Sequence, residues 1–508
     1  MKTEKAKRKL ITGGSQAKQS LLVLFLEKNF WLLSLAIFGV IVFFTCYRLG
    51  QLPARDWDEA RHGISAYEMM KSGDYIVNTY QYANDYYNLK PPMSFWGIVL
   101  GYKLFGFTLF GMRFYSALAF ILSVASVFFF CFKRYGRIEA LCTLLFLACA
   151  SPFYRYHFAR HADADSLFSL FVLISLLALM LMEEWSPAIY ICPFAFSLSF
   201  LTKSWHSLYV PLIVFVFMLL RKMFFSIKPL QWCGFIGMGA LPLFLWGMAR
   251  FSQDGTKFFI DMIRVDLLNR TTQVLEGHFG SSLFYPKILF YRSLITGFLP
   301  VALIILYVFF SIHQSVDLSE KSNFKHDLPV ILMWFFVPLV LFSIAKTKLS
   351  WYSIPILYPI IIFSGVVFAL MLQSKPHAIL GRAIACALVV LVVVPSFMRT
   401  YQEIQPAYSD DLQWMLHDEK SLLSATAGST AYIVADNANL IESGKQKYVL
   451  LGELYYDWKC KEGDVDSFLS DQGASVMVIS QDIYQNNLQK VSMLKTLTQN
   501  QYFYILTK

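Results

Sequence analysis

Long apolar runs separated by short polar loops dominate the chain up to about residue 400. A helix needs roughly 20 mostly apolar residues to cross the hydrocarbon core of a membrane. By this measure the sequence predicts about eleven transmembrane helices. Their approximate ranges are 30–47, 113–132, 138–153, 164–182, 187–202, 207–221, 232–250, 288–311, 328–345, 353–372 and 379–397. The apolar segment 91–110 begins with two prolines and contains Lys103, so we predict that it lies at the membrane interface.

The pattern changes at about Arg399, where short apolar runs replace long ones. Four runs predict buried strands, at 431–435, 447–451, 475–480 and 502–507. Helical patterns lie near 410–423, 464–472 and 485–497. This alternation is typical of a small α/β domain outside the membrane. We therefore predict an α-helical polytopic membrane protein with a basic tail at 1–29, a transmembrane domain at 30–398 and an α/β domain at 399–508.

Composition supports a membrane protein. Apolar residues make up 56% of the chain and charged residues 15%, against roughly 25% charged residues in soluble domains. The net charge of +10 is uneven, because acids outnumber bases fourteen to nine from Arg399 onward. Basic residues beside membrane spans mark cytoplasmic ends, so we predict no nucleic-acid partner. Seven of the eight cysteines lie in apolar segments, which argues against a disulfide framework.

The distribution of Lys and Arg predicts the orientation. We predict that the basic N-terminal tail is not a cleavable signal, because the apolar run behind it is long enough to span. We predict that this tail is cytoplasmic, together with the loops at 133–137, 183–187, 221–228, 313–327 and 373–382. The first loop, 48–112, and the C-terminal domain then lie outside.

The other conspicuous charge clusters share the outer face in this scheme. They are the first loop and the segments 155–166, 202–207, 251–287 and 345–352. Ionisable residues at membrane depth are costly and usually functional. The sequence therefore predicts one active site on the outer face, built by loops and helix ends.

Three groups of acids and bases are the candidates, and each also has a structural explanation. Asp58 and Glu59 could supply a general base or a cation ligand, or could begin an interfacial helix. Lys90 precedes two prolines and could present a rigid charge to a phosphate, or could anchor the chain at the membrane surface. Asp163 and Asp165 precede a span, where acids also suit the helix dipole.

Further cations on this face oppose the usual cytoplasmic bias of lysine, which indicates an anionic ligand. They are Lys203, Arg264, Arg270, Lys346 and Lys348. His206, alone at the start of a span, favours a structural interpretation.

Several stretches together resemble one family. They are DEARHG at 58–63, KPP at 90–92, the Asp that heads the 164–182 span, FLTKSWHSLYVP at 200–211 and FSIAKTKLSWY at 342–352. Their order and spacing resemble the GT-C class of membrane glycosyltransferases. The similarity is greatest to the bacterial aminoarabinose–lipid A transferases (glycosyltransferase family 83) and extends to the protein O-mannosyltransferases. It covers about residues 25–400.

This resemblance implies a GT-C fold and an inverting hexosyl or pentosyl transferase in the bacterial cytoplasmic (inner) membrane. Such enzymes take a sugar from a polyprenyl phosphate, undecaprenyl phosphate in bacteria, and transfer it on the periplasmic face. The partners implied are this donor and a lipid A-like, glycan or protein acceptor.

The resemblance also implies residue roles. Asp58 matches the loop acid and Asp165 the second acid, with Asp163 in support. Arg61, Lys90 and Tyr352 resemble contacts to the carrier phosphate, and Lys203 resembles a further cavity lysine. Leu89 stands where the lipid A enzymes have a metal-ligating Glu, so we predict no such metal. No other cofactor is predicted; a divalent metal is possible, but the sequence does not indicate one.

Two other functions fit the sequence less well. A transporter or flippase of anionic polyprenyl-linked lipids would place charges along a pathway and show repeat symmetry, and the sequence shows neither. A structural assembly subunit would explain the C-terminal domain but not the outer lysines.

Overall fold

A computed structural model describes residues 20–155, 157–312, 322–374, 379–405, 411–435 and 445–508. Most of this part of the chain is helical. Seven stretches are long and apolar enough to cross a membrane, or eight if a pair bent by 72° counts as one span. They are Leu109–Arg134, Ala164–Leu181, Ala188–Leu220, Pro229–Asp254, Ser322–Ile344, Ser350–Leu372, Ile379–Glu403, and Leu21–Lys28 with Phe30–Cys46.

The predicted class, a helical polytopic membrane protein, is confirmed, but the predicted number of spans is not. The predicted spans 187–202 and 207–221 form one stretch, interrupted by a 3-10 turn at Ser204–Leu208. The predicted span 138–153 contains a helix of only 13 residues, Arg137–Cys149. The predicted span 288–311 divides into Phe284–Arg292 and Phe298–Ile312.

Shorter helices connect the spans and build the C-terminal part. The predicted interfacial segment contains the helix Met93–Phe105. The first loop also contains the helix Asp58–Ser72, called here the loop helix, and a hairpin of β1 (Thr79–Tyr80) and β2 (Ala83–Asn84). The remaining helices are Lys257–Asp261, Arg270–Thr272, Asp411–Asp418, Lys420–Leu423, Gln446–Tyr456, Val465–Ser470, Gln481–Asn486 and Leu488–Val491, with a π-helical stretch at Met262–Asn269.

Charged residues of the predicted cytoplasmic loops meet at one end of the bundle. Arg134 forms a buried ion pair with Asp327 and a second pair with Glu184 at 2.8 Å. The Arg221 guanidinium donates to the carbonyl of His326 at 2.9 Å. Residues 1–19, 313–321 and 375–378, which complete the predicted cytoplasmic segments, lie outside the described residues.

A five-stranded mixed sheet forms the centre of the C-terminal part. Its strands are β3 (Thr430–Val434), β4 (Lys459–Glu462), β5 (Ala474–Ser480), β6 (Lys495–Gln499) and β7 (Phe503–Thr507), in the order β4-β3-β5-β7-β6. β3 pairs in parallel with β4 and β5, whereas β7 is antiparallel to β5 and β6. Three predicted strands correspond to β3, β5 and β7.

The predicted strand at 447–451 is wrong, because these residues lie in the helix Gln446–Tyr456, called here the cover helix. Lys447 to Leu451 are all buried, so the run has no polar face to reveal its period. A short, fully buried run is compatible with a strand or a helix. The strands β4 and β6 were not predicted, since both are mostly exposed and polar.

The cover helix packs against the loop helix. Their apolar residues, among them Ile64, Tyr67, Leu450 and Leu454, belong to one buried cluster. A Cβ atom on Gly63 would lie 2.7 Å from Leu450 Cδ1, so glycine permits this close approach. The backbone amides of Trp57 and Lys447 also donate across the contact, to Gln446 at 3.1 Å and to Asp56 at 3.1 Å. The C-terminal part therefore holds the helix that begins at Asp58.

Candidate functional site

A cavity of about 470 Å³ lies at the other end of the bundle from the Arg134 cluster. All five segments that the sequence assigned to the outer face contribute residues to the lining of this cavity. The lining residues are Trp57, Asp58, Arg61, Tyr87, Asn88, Leu89, Lys90, His157, Lys203, His206, Asp266, Arg270, Glu276, His278, Leu349, Trp351 and Tyr352. Six of the ten predicted site residues, Asp58, Arg61, Lys90, Lys203, Arg270 and Tyr352, are among them.

Asp58 is the central acid of this cavity. It is the first residue of the loop helix, and its side chain is 39% exposed. Lys90 Nζ lies 3.3 Å from Asp58 Oδ1, and His157 Nδ1 lies 3.9 Å from Oδ2. The surrounding protein raises the pKa of Asp58, but Lys90, His157 and His62 outweigh this effect and hold the pKa well below its ordinary value. Asp58 is therefore a carboxylate throughout the neutral range.

Glu59 points away from the cavity and has a structural role. Its carboxylate pairs with Arg113 at 2.7 Å, and both side chains are fully buried. Glu59 also accepts hydrogen bonds from the backbone amides of Arg55 and Ala162 at 2.9 Å each. Arg113 in turn donates to the carbonyls of Leu49, Leu52 and Pro53. This network fixes the chain that enters the loop helix and so positions Asp58.

The predicted acids Asp163 and Asp165 do not line the cavity, and each pairs with a residue that does. Asp163 Oδ2 lies 3.2 Å from His157 Nδ1. Burial lowers the pKa of His157, but Asp163 and Asp58 together raise it above its ordinary value. Asp165 accepts from Lys203 Nζ at 2.5 Å, and both side chains are 5% exposed. These two acids hold cations of the cavity in place.

Each of the two arginines of the cavity is oriented by an acid, and Arg61 also lies against aromatic rings. Arg61 pairs with Asp85 at 2.8 Å, and its guanidinium lies 4.2 Å from the centre of the Tyr80 ring. Arg270 pairs with Asp266 at 2.9 Å, one helical turn earlier in the chain. Each guanidinium has five donors, so one carboxylate leaves others available for an anion.

Lys346 and Lys348 are not at the cavity surface. Lys348 Nζ donates to the carbonyls of Phe342 at 3.0 Å and of Ser343 and Ala345 at 2.5 Å each. These carbonyls end the Ser322–Ile344 helix, where a cation suits the free carbonyls and the dipole. In this structure Lys348 therefore supports the end of that helix and is not among the residues that line the cavity. Lys346 is exposed and does not line the cavity, and neither does Arg264.

The sequence did not single out several cavity residues. His157 and Trp351 stack with ring centres 3.6 Å apart, although almost two hundred positions separate them. His206, expected to be structural, lines the cavity, and its ring lies 4.4 Å from that of Tyr352. Asp266, Glu276 and His278 complete this group. Only the polar character of segments 155–166 and 251–287 indicated their involvement.

Backbone conformation also marks this region. Trp57, His157 and Glu276 line the cavity and have φ values of 60°, 67° and 54°. Ser204, next to Lys203, has a φ of 45°. Non-glycine residues rarely adopt such angles, which cost about 1–3 kcal/mol each and cluster at functional sites.

Among the described residues, Asp58, His157 and Asp163 form the group that could hold a metal ion. One ligand atom from each lies within 4.8 Å of the others. Two carboxylates and an imidazole suit several divalent cations. Lys90 and a protonated His157 neutralise the same carboxylates and would compete with such an ion.

Comparison with known proteins agrees with this arrangement. Residues 89–247 match a family described as dolichyl-phosphate-mannose-protein mannosyltransferase. An undecaprenyl phosphate-alpha-4-amino-4-deoxy-L-arabinose arabinosyl transferase of Edwardsiella ictaluri is 28% identical over 347 residues, which are 65% of this chain and 59% of the relative. The chain thus spans less than two thirds of that relative.

Two solved structures share the fold. ArnT from Cupriavidus metallidurans bound to undecaprenyl phosphate is 19% identical, with a TM-score of 0.67 over 94% of this chain and 98% of ArnT. The archaeal oligosaccharyltransferase AglB from Archaeoglobus fulgidus, in complex with an inhibitory peptide and a dolichol-phosphate, is 10% identical. Its TM-score is 0.52 over 92% of this chain and 71% of AglB. The chain therefore resembles, in sequence and in fold, the GT-C membrane glycosyltransferases, including aminoarabinose transferases and protein glycosyltransferases.

Proposed function

We propose that this protein transfers a sugar from undecaprenyl phosphate, or a similar polyprenyl phosphate, to a hydroxyl group of an acceptor on the periplasmic face of the membrane. One observation carries the proposal: the carboxylate of Asp58 shares a polar cavity with four cations. These are Arg61, Lys90, Lys203 and Arg270. The binding of undecaprenyl phosphate and dolichol-phosphate by the two structural neighbours supports the choice of donor.

The cations bind the phosphate of the donor. Arg61 and Arg270 offer planar guanidinium groups that suit two phosphate oxygens, and Lys90 adds a point charge. Negative charge grows on the phosphate as the bond to the sugar breaks. Fixed cations stabilise that charge and so favour departure of the carrier phosphate.

Asp58 acts on the acceptor hydroxyl. While Lys90 pairs with it at 3.3 Å, its low pKa makes it a weak base. A bound donor phosphate competes for Lys90, which raises the pKa of Asp58 and allows it to take the proton. Donor binding thereby activates the base. A single displacement of this kind inverts the configuration at the anomeric carbon.

The distribution of charge gives transport less support. Among the described residues, two groups of ionisable side chains, the cavity and the Arg134 cluster, lie at opposite ends of the bundle. A transport pathway would need polar groups near the middle of the membrane.

Mass spectrometry of envelope lipids, glycans and proteins from cells with and without the gene tests the proposal. We expect one sugar modification to disappear with the gene and to return with the wild-type protein but not with Asp58→Asn. Unchanged modifications, with undecaprenyl-linked sugars redistributed between leaflets, would indicate a flippase instead.

A further inference from the structure

The β1–β2 hairpin of the first loop contacts both the cavity and the C-terminal sheet. The ring of Tyr80, the last residue of β1, lies 4.2 Å from the guanidinium carbon of Arg61. The hydroxyl of the same Tyr80 donates a hydrogen bond to the carboxylate of Glu462. Glu462 is the last residue of β4, which lies at one edge of the C-terminal sheet. One tyrosine therefore connects an arginine of the cavity with the C-terminal part of the chain.

The guanidinium of Arg61 is held by one acid and two aromatic rings. Asp85 accepts from Arg61 Nη2 at 2.8 Å and from Nε at 3.3 Å, and its side chain is 2% exposed. The rings of Tyr80 and Tyr87 lie 4.2 Å and 4.7 Å from the guanidinium carbon. Asp85 engages one edge of the guanidinium, so the Nη1 donors remain for an anion in the cavity. The attraction between a cation and a ring depends on the position of the ring, so movement of Tyr80 would change the direction of these donors.

The turn of this hairpin is strained. Gln81 and Tyr82 connect the paired residues Tyr80 and Ala83, and their φ values are 55° and 60°. Positive φ at both positions is typical of a type I′ turn, which prefers Asn-Gly. Such angles in other residues cost about 1–3 kcal/mol each, and an isolated two-stranded hairpin is at best marginally stable. Contacts with the rest of the protein must therefore hold the hairpin in place.

Three hydrogen bonds from two parts of the chain hold it. The loop helix provides two of them: the Ser65 hydroxyl donates to the Thr79 carbonyl at 2.7 Å, and Glu68 accepts from the Tyr82 amide at 2.9 Å. Both of these contacts act on the backbone of the hairpin. The third, to Glu462, acts on the side chain that lies against the guanidinium. The C-terminal part thus restrains the ring on which the orientation of the arginine depends.

We propose that Tyr80 and Glu462 are positioning residues, through which the C-terminal part orients Arg61 toward the phosphate of the donor. Neither residue lines the cavity, so their effect on a ligand passes through the arginine. This assignment rests on the proposed glycosyltransferase function and gives the C-terminal part a role in donor binding. The contact of the cover helix with the loop helix holds Asp58, and the contact of β4 with the hairpin holds the neighbouring cation.

Binding of undecaprenyl phosphate to the purified full-length protein tests this assignment without turnover. We expect Tyr80→Phe and Glu462→Ala each to raise the Kd by about 3–10-fold, a part of the roughly 10–100-fold expected for loss of a hydrogen bond to a charged group. Glu462→Gln keeps an acceptor oxygen and should retain most of the affinity. Lys459→Ala changes an exposed side chain of the same strand and should bind as wild type does. Thermal unfolding of each variant separates loss of affinity from loss of fold.

A double-variant comparison separates positioning from a general structural effect. Arg61→Gln should weaken binding, and addition of Tyr80→Phe to it should weaken binding no further, because the tyrosine acts through the arginine. The same fold loss from Tyr80→Phe with and without Arg61 would overturn the proposal.

The single variants can also contradict the assignment. Equal Kd values for wild type, Tyr80→Phe and Glu462→Ala would overturn this proposal alone, because binding by the wild type would still support the proposed function. A wild-type protein that does not bind undecaprenyl phosphate would instead overturn the proposed function, and this assignment with it.

Discussion

Asp58 and Glu59 are neighbours in the chain with opposite surroundings, and their variants should differ accordingly. Asp58→Asn keeps the shape and removes the charge at the cavity, so we expect transfer to fall by about 10²–10⁴-fold with unfolding little changed. Glu59→Gln leaves Arg113 buried without its full counter-charge, which costs about 3–5 kcal/mol. Turnover per folded molecule and thermal unfolding of both purified variants measure this contrast. A dead but stable Glu59→Gln beside an active Asp58→Asn would reverse the assignment.

Lys90 and Lys348 test whether a lysine binds the carrier or supports the fold. Lys90→Ala should raise the KM for the polyprenyl-phosphate donor by about 10–100-fold, because a hydrogen bond to a charged group contributes about 1.5–3 kcal/mol. Lys90→Arg should retain part of the activity. Tyr352→Phe should weaken the use of the polyprenyl-phosphate donor. Lys348→Ala should lower thermal stability and leave the donor KM unchanged. Equal donor KM values in wild type and Lys90→Ala would remove Lys90 from the site.

The three potential metal ligands give a prediction about chelation. Lys90 pairs with Asp58, and the His157 ring lies 3.2 Å from Asp163, so we expect transfer to persist after treatment with EDTA. Turnover before and after chelation, and after addition of Mg²⁺, Mn²⁺ or Zn²⁺, measures this. Loss with EDTA and recovery with one ion would instead place a metal among Asp58, His157 and Asp163.

At the scale of elements, the contact between the loop helix and the cover helix contains a buried pair of acids. Glu68 accepts from the backbone amide of Tyr82 at 2.9 Å and faces Glu453. Burial raises the pKa of Glu68 to about 7, and burial together with Glu68 raises the pKa of Glu453 well above its ordinary value. Tyr82, Asp457 and Cys460 also lie near these acids. At least one of the two carboxyl groups is therefore protonated at neutral pH.

This pair should make the contact sensitive to pH. A glutamate in the unfolded chain has a pKa of about 4.5. Below that pH both carboxyl groups are protonated in the folded and the unfolded chain, so the pair does not lower the free energy of unfolding. As pH rises toward 7, the unfolded chain ionises while the folded chain retains its proton, so stability falls by up to about 3 kcal/mol. Melting curves from pH 5 to 8 should show this decline in wild type and a shallower one in Glu453→Gln. Equal declines in wild type and Glu453→Gln would mean that Glu453 does not cause the loss of stability with rising pH.

At the scale of the whole molecule, charge is segregated to the two ends of the bundle. The Arg134 cluster gathers the predicted cytoplasmic loops, and the cavity gathers the predicted outer loops. We therefore predict that the C-terminal domain, which packs on the cavity side, lies in the periplasm. A reporter active only in the periplasm, fused after Lys508, should be active. A reporter active only in the cytoplasm at the same position would reverse the orientation.

The sequence by itself determined the membrane class, the loops that carry the site and most of the cations that line it. Hydropathy is a local property, and charged residues such as Asp58, Lys90 and Lys203 stand out in an apolar sequence whatever its fold. Tertiary structure decided which of these charged side chains remain available to contact a ligand in the cavity. Glu59 pairs with Arg113, and Lys348 donates to carbonyls at the end of the Ser322–Ile344 helix, so both charges are satisfied within the protein. His157 enters the site because Asp58, Asp163 and Trp351 converge on it from three separate segments. The pairs Glu59–Arg113 and His157–Trp351 join residues remote in sequence, and such contacts exist only once the chain has packed.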